Sequence, residues 1–198
     1  MELNEIITIS RNMLKERTDS LRNDVKRCLV ECKDTQAAPF PALLYCFSTI
    51  DLLGALYGGN AVGNTTQQAR DYMTDIIRYP KEKVYLLQTI FRHKIVHLAQ
   101  PNPRCKIDSN RLKEKLNIEF GLYVWGIKHN DHNKHLIIED LGNQGEKKLL
   151  CFWVSIESLV IDIIDSIEKP NGYLHRLENE PNLQRNFIQA YEAIQDLN

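Results

Sequence analysis

The chain lacks a surplus of positive charge. Its 25 Lys and Arg face 26 Asp and Glu, for a formal net charge of −1. That balance excludes a chain that coats nucleic acid indiscriminately. It lacks a cysteine framework as well. The five cysteines are an odd number with no Cys-x-x-Cys pair, so neither a zinc ribbon nor a dithiol redox motif is present. Cys28 and Cys32 lie one helical turn apart, which suits a packed helix face. A reducing, cytoplasmic compartment is the expectation. The opening stretch, MELNEIITIS, has no basic flank and no long apolar core, so it does not read as a signal peptide. The most apolar long run, 149–164, contains Glu157 and Asp162 and makes a poor membrane span. Internal repeats and low-complexity tracts are missing too. What remains is ordinary soluble composition, 43% hydrophobic and 26% charged over 198 residues, enough for a single domain with a sizeable core.

No Gly or Pro falls between residues 2 and 34. There Ile6, Ile9, Met13, Leu21, Val25, Cys28, Leu29 and Cys32 trace one apolar stripe, which predicts a long amphipathic helix. Pro39 and Pro41 open a second helix at about 40–57, apolar nearly all round and therefore central. Gly58 and Gly59 end it. Thr65 or Thr66 is placed to cap a third helix, about 66–79, which stops before Pro80. A fourth follows at 84–101, then a mixed stretch with a short charged helix near 108–116. In EFGLYVWGIKHNDHNKHLIIED, β-branched and aromatic residues flank a turn-rich centre, which predicts a β-hairpin at about 119–140. Residues 146–168 carry a broad apolar stripe and read as one helix. A last helix is expected at about 181–196. The fold class expected is all-α, a helical bundle with one small inserted β-hairpin.

The segment VYLLQTIFRHKIVHLAQP, 84–101, concentrates the chemistry. Val84, Leu87, Ile90, Phe91, Ile95 and Leu98 keep helical period, while Arg92, His93 and His97 interrupt it near the end. Pro101 and Pro103 forbid further helix. The surrounding window, 78–115, holds ten Lys or Arg against three acids, a local patch that favours a polyanionic partner or, equally, a solvated basic loop. Lys94, Arg104 and Lys106 lie in it as candidate RNA contacts. Arg suits phosphate because its planar donors meet two oxygens at once. His suits proton transfer near neutrality. On an ideal helix Arg92 and His97 point about 140° apart. Either the long Arg swings round to a shared phosphate, or a second subunit supplies the facing pair. His93 and His97 share a face and form half of a helical metal site, but no third ligand or zinc-protease Glu accompanies them. No metal and no cofactor are therefore expected.

Asp51 stands inside the apolar second helix. A buried carboxylate needs a partner: Arg92, a His of the motif, Ser48 or backbone. Tyr45 is a further contact or plain core. His129, His132 and His135 straddle the hairpin turn at three-residue spacing, either as adventitious metal ligands or as a solvated turn. Trp125 and Trp153 read as core, and the 149–167 stripe as core or dimer seam.

The order of these features resembles the HEPN superfamily (higher eukaryotes and prokaryotes nucleotide-binding domain). The resemblance rests on PALLYCFSTIDLLGALYGG followed by YMTDIIRYPKEKVYLLQTIFRHKIVHLAQP, with an Arg–x4–His motif at Arg92, His93 and His97. It covers roughly 2–101 and the helix at 146–168, and leaves 119–140 unplaced. It implies a helical bundle that dimerises so that two Arg/His pairs meet, and metal-independent endoribonuclease activity, often in toxins or phage-defence factors. Arg92 and His97 would be catalytic, His93 the polar neighbour and Asp51 an orienting group. Toxins of this superfamily silenced by a nucleotidyltransferase antitoxin carry Tyr two residues after the His; here that position is Ala99. Three functions follow as expectations: a homodimeric RNase, a module that binds RNA or nucleotide without chemistry, or a structural dimer domain. Burial of Arg92 in a salt bridge within its own subunit would favour the third.

Overall fold

The computed structural model describes residues 3–30, 38–98, 104–107 and 110–196. Helix α1 (Leu3–Val30) presents Ile6, Leu14, Leu21 and Val25 to the interior. Helix α2 (Pro39–Gly58) is the axis of the core, with Leu43, Cys46, Phe47, Ile50, Leu53 and Leu56 all fully buried. Pro sits in its first turn, and Gly59 closes it in a left-handed cap whose N–H reaches Ala55 O at 2.8 Å. By length and hydropathy α2 alone among the described helices could cross a membrane, yet 56% of its most apolar stretch is buried inside this fold. Helix α3 (Thr65–Tyr72) runs on into a π-helical turn, Met73–Ile77.

The motif segment is one continuous rod in three parts: α4 (Lys81–Leu86), a π-helical turn (Leu87–Arg92) and α5 (His93–Leu98). Strand β1 (Arg104–Ile107), helix α6 (Asn110–Leu116), strands β2 (Gly121–Lys128), β3 (Ile137–Gln144) and β4 (Lys147–Ser155), and helices α7 (Ile156–Glu168), α8 (Tyr173–Asn179) and α9 (Pro181–Gln195) complete the chain.

The all-α expectation is overturned by a four-stranded mixed sheet of order β1-β2-β4-β3. β2 and β3 do not pair as a hairpin at 119–140. Each instead flanks β4, β2 in parallel and β3 antiparallel, while β1 adds to the outer edge of β2. The tight hairpin lies later, between β3 and β4. Gly145 takes φ +64° in its turn, and Gly142 takes φ +92° at an irregularity between Asp140 and Asn143.

The predicted helix over 146–168 is half strand. KKLLCFWVS is the inner strand β4, with Leu150, Cys151, Phe152, Val154 and Ser155 buried. A strand with a neighbour on each side reads as a continuous apolar run, which periodicity cannot separate from a buried helix. The change comes at Ser155, whose Oγ accepts from Ser158 N–H as the cap of α7.

The rod lies between the helices and the sheet. Phe91 meets Phe152 of β4 edge-on at 6.0 Å, while its neighbour Arg92 turns to α2. Enclosure on two sides is why Leu87, Gln88, Ile90, Phe91 and Arg92 are all buried within one π turn. Gly54 allows the same closeness on the far side of α2. A Cβ there would come within 2.6 Å of the Ala69 backbone on α3.

Candidate functional site

Asp51, Arg92 and Thr66 form the polar centre of this packing. Arg92 donates from Nε to both Asp51 oxygens at 3.1 Å and from Nη2 to Asp51 Oδ2 at 2.9 Å. Its Nη1 donates to Thr66 Oγ1 at 3.0 Å. The guanidinium is nearly closed off, with 8% of the side chain exposed, while the Asp51 side chain is 22% exposed. These bonds engage three of the five guanidinium N–H groups, so two are left uncommitted among the described residues.

Sequence reasoning placed Asp51 and Arg92 here but missed Thr66, read as a helix cap. The cap position belongs to Asn64, in left-handed conformation and without a side-chain bond. Nothing in the sequence distinguished Thr66 from Thr65. Ser48, the alternative partner for Asp51, bonds Tyr45 O instead. Tyr45 faces α1, where its hydroxyl takes a 3.4 Å bond from Arg17.

His93 follows Arg92 directly and is exposed, so consecutive residues face opposite ways. α5 carries the His97 backbone one turn further on, but its side chain falls outside the described residues. So does that of Arg104, whose backbone pairs with Val124. Lys94 is half-buried, and its charge reaches Cys105 of β1; burial raises the Cys105 thiol and Lys94 partly counters it. Lys106 is exposed on the same strand. The described residues therefore join Asp51 to Arg92 and place Lys94 beside β1.

One feature of the rod had no sequence signal. Gln88, in the π turn, is 2% exposed, and neither Oε1 nor Nε2 has a hydrogen-bond partner. Buried unpaired amides are uncommon and costly. π-turns themselves recur at functional sites.

The histidine turn is not the solvated loop expected. His135 lies in a network with Tyr79 and Asp162. Tyr79 Oη donates to Asp162 Oδ2 at 2.5 Å, and His135 Nε2 stands 3.2 Å from the same oxygen. Ser155 N–H donates to His135 Nδ1 at 3.3 Å, which puts the ring proton on Nε2. Burial raises the Asp162 carboxyl, but the bonds from His135 and Tyr79 outweigh it and hold it below its ordinary value. His132 Nδ1 meets Ser158 Oγ at 2.7 Å. Trp153 is not core either. It is partly exposed beneath Lys128 and Lys134, at 4.9 and 5.5 Å, and donates to Glu139 at 2.6 Å. Among the described residues, no group of three or more His, Cys, Asp or Glu is placed to hold a metal.

No protein-family model, curated protein or solved structure matches the chain.

Proposed function

We propose that this chain is a HEPN-type domain that binds single-stranded RNA and cleaves it without a metal, acting as a homodimer. The observation that carries this reading is the Asp51–Arg92–Thr66 network at the end of a π turn, five residues before His97. A buried ion pair adds little net stability compared with apolar packing. A purely structural core has no need of one in its most apolar helix, and such groups gather where chemistry is done.

The burial of Arg92 revises its role. Held by Asp51 and Thr66, it cannot swing freely to grip a phosphate. It offers two remaining N–H groups from a fixed position, which suits stabilisation of charge that develops late rather than capture of substrate. Asp51 and Thr66 are positioning residues. His97 is the general acid/base: it takes the proton of the ribose 2′-hydroxyl as that oxygen bonds to phosphorus. The 5′-oxygen then leaves with a proton, giving a 2′,3′-cyclic phosphate and a free 5′-hydroxyl. His97 stands in the last turn of α5, where a protonated ring is favoured by the helix dipole.

The test is cleavage of labelled single-stranded RNA in EDTA by the wild type, Arg92→Ala and His97→Ala. Loss of cleavage in both variants supports the reading, and equal cleavage by all three overturns it. Mixing the two inactive variants tests the dimer, since a site built from both subunits regains activity in mixed pairs.

A second reading has its own observation. Arg92 is 6% exposed and bonded within its own chain, as a structural dimer domain would have it. Absence of cleavage by the wild type, with folding dependent on Arg92, selects that reading.

A further inference from the structure

The β1 edge of the sheet carries a second feature, separate from the motif. A surface groove of about 350 Å³ opens where β1, α6 and the starts of β2 and β4 meet. Lys106, Lys113, Lys147 and Lys148 line it together with Phe120. Phe120 is 37% exposed and is the only aromatic among the exposed large hydrophobic side chains described. Leaving a phenyl ring in water forgoes about 2 kcal/mol of burial, so an uncovered ring beside cations points to a partner. The Lys113 ammonium stands 5.3 Å from the ring centre.

Two glutamates share the groove. Glu119 is already neutralised by Lys148, at 2.7 Å, and Lys148 also holds Asp140 at 3.0 Å. That leaves Lys106, Lys113 and Lys147 against Glu146 on the lining. Gly121 forms part of the floor, where a Cβ would come 2.8 Å from Lys148 O, so the backbones of β2 and β4 approach closely there. The groove is continuous with the motif through β1: Lys94 of α5 acts on Cys105, and Lys106 is the next residue.

We infer that this groove is a stacking subsite for single-stranded RNA: one base lies on Phe120 while Lys113, Lys106 and Lys147 meet the flanking phosphates. The inference rests on the RNA reading above and extends it from the motif to the sheet edge. An isolated aromatic ring beside lysines is how sequence-tolerant single-strand surfaces work, because every base has a π face and every link a phosphate. An acidic peptide would use the lysines but would leave the ring without purpose.

The experiment is fluorescence anisotropy with a labelled single-stranded oligoribonucleotide, the same sequence as a duplex, and a poly-glutamate peptide. Phe120→Ala is expected to weaken single-strand binding about tenfold, the worth of one stacked base, while Phe120→Tyr binds as the wild type does. Lys113→Ala with Lys147→Ala should flatten the salt dependence by about 1.4 logarithmic units per decade, for two lost single-strand phosphate contacts. Equal binding by Phe120→Ala, no binding by the wild type, or binding of the peptide in preference to RNA each overturns the subsite. Phe120-dependent binding with cleavage untouched by His97→Ala would instead uphold the subsite and sink the catalytic reading.

Discussion

Arg92 meets Asp51 through a fork, with Nε 3.1 Å from both carboxylate oxygens and Nη2 2.9 Å from one of them. The pair ties the motif rod to the central helix across 41 positions of sequence. Removing one member strands the other in a largely closed site. Arg92→Ala or Asp51→Ala should therefore lower stability by about 3 kcal/mol, near the lower limit for a buried pair because Asp51 is partly open. Arg92→Lys should recover little of this, since an ammonium cannot reproduce the fork. Urea unfolding of the variants checks both.

That pairing was legible in the sequence for a definite reason. A lone carboxylate in FPALLYCFSTIDLLGALYGG must find a cation, and Arg92 is a cation that breaks an otherwise apolar period. The sheet was not legible, because its decisive strand hid inside a helix-like stripe. Leu149, Phe152, Trp153 and Ile156 fit helical spacing across a boundary that only Ser155 marks. The turn residues of HNDHNK suggested that the strands beside them pair with one another. β4 takes the place between them, and no local pattern announces a strand that arrives later to separate two earlier ones. The π turn over Leu87–Arg92 was equally silent, since it arises from enclosure between α2 and the sheet.

Gly54 should prove intolerant of the smallest side chain. Helix propensity alone would make Gly54→Ala stabilising by about 1 kcal/mol. The added Cβ would stand 2.6 Å from the Ala69 backbone, which cannot rotate away. α3 must then move outward, carrying Thr66 from Arg92. A net loss of roughly 1–3 kcal/mol is expected, read as a lowered urea midpoint with an unchanged slope.

Acid should weaken the protein partly through Asp162. Its carboxyl is held below the ordinary value in the folded state, despite burial, by His135 and Tyr79. A depressed carboxylate contributes stability that is fully present above the unfolded value, about 4, and is lost as pH falls through the folded one. Asp162→Asn should therefore be less stable than the wild type at pH 7, and the gap should close as pH falls below about 4. Thermal melts from pH 7 to pH 2.5 measure it. A gap that is constant over this range would mean that Asp162 acts by packing alone.

Buried thiols should resist modification until the chain opens. Burial pushes the Cys46 thiol up to about 12, and that of Cys151 up to about 11. At pH 8 both are almost wholly protonated, and the thiol form is the unreactive one. An aromatic disulfide reagent should label them at the rate of unfolding, whereas half-exposed Cys28 reacts ahead of them. Mass mapping of the labelled peptides against time separates the sites.

The fork also offers a way to part structure from chemistry at Arg92. Single variants confound the two, because loss of activity accompanies loss of fold. Replacing both partners by apolar residues of similar size, Asp51→Leu with Arg92→Met, leaves no stranded charge, and such exchanges are often neutral or stabilising. Thr66 would lose one neutral partner, at a cost of about 1 kcal/mol. The double variant should therefore unfold within about 1–2 kcal/mol of the wild type while either single variant falls well below it. If RNA cleavage is then lost from a stable protein, the guanidinium contributes to the reaction beyond holding α2 to the rod. If cleavage persists in the double variant, Arg92 is a structural pin and the chemistry belongs to other groups.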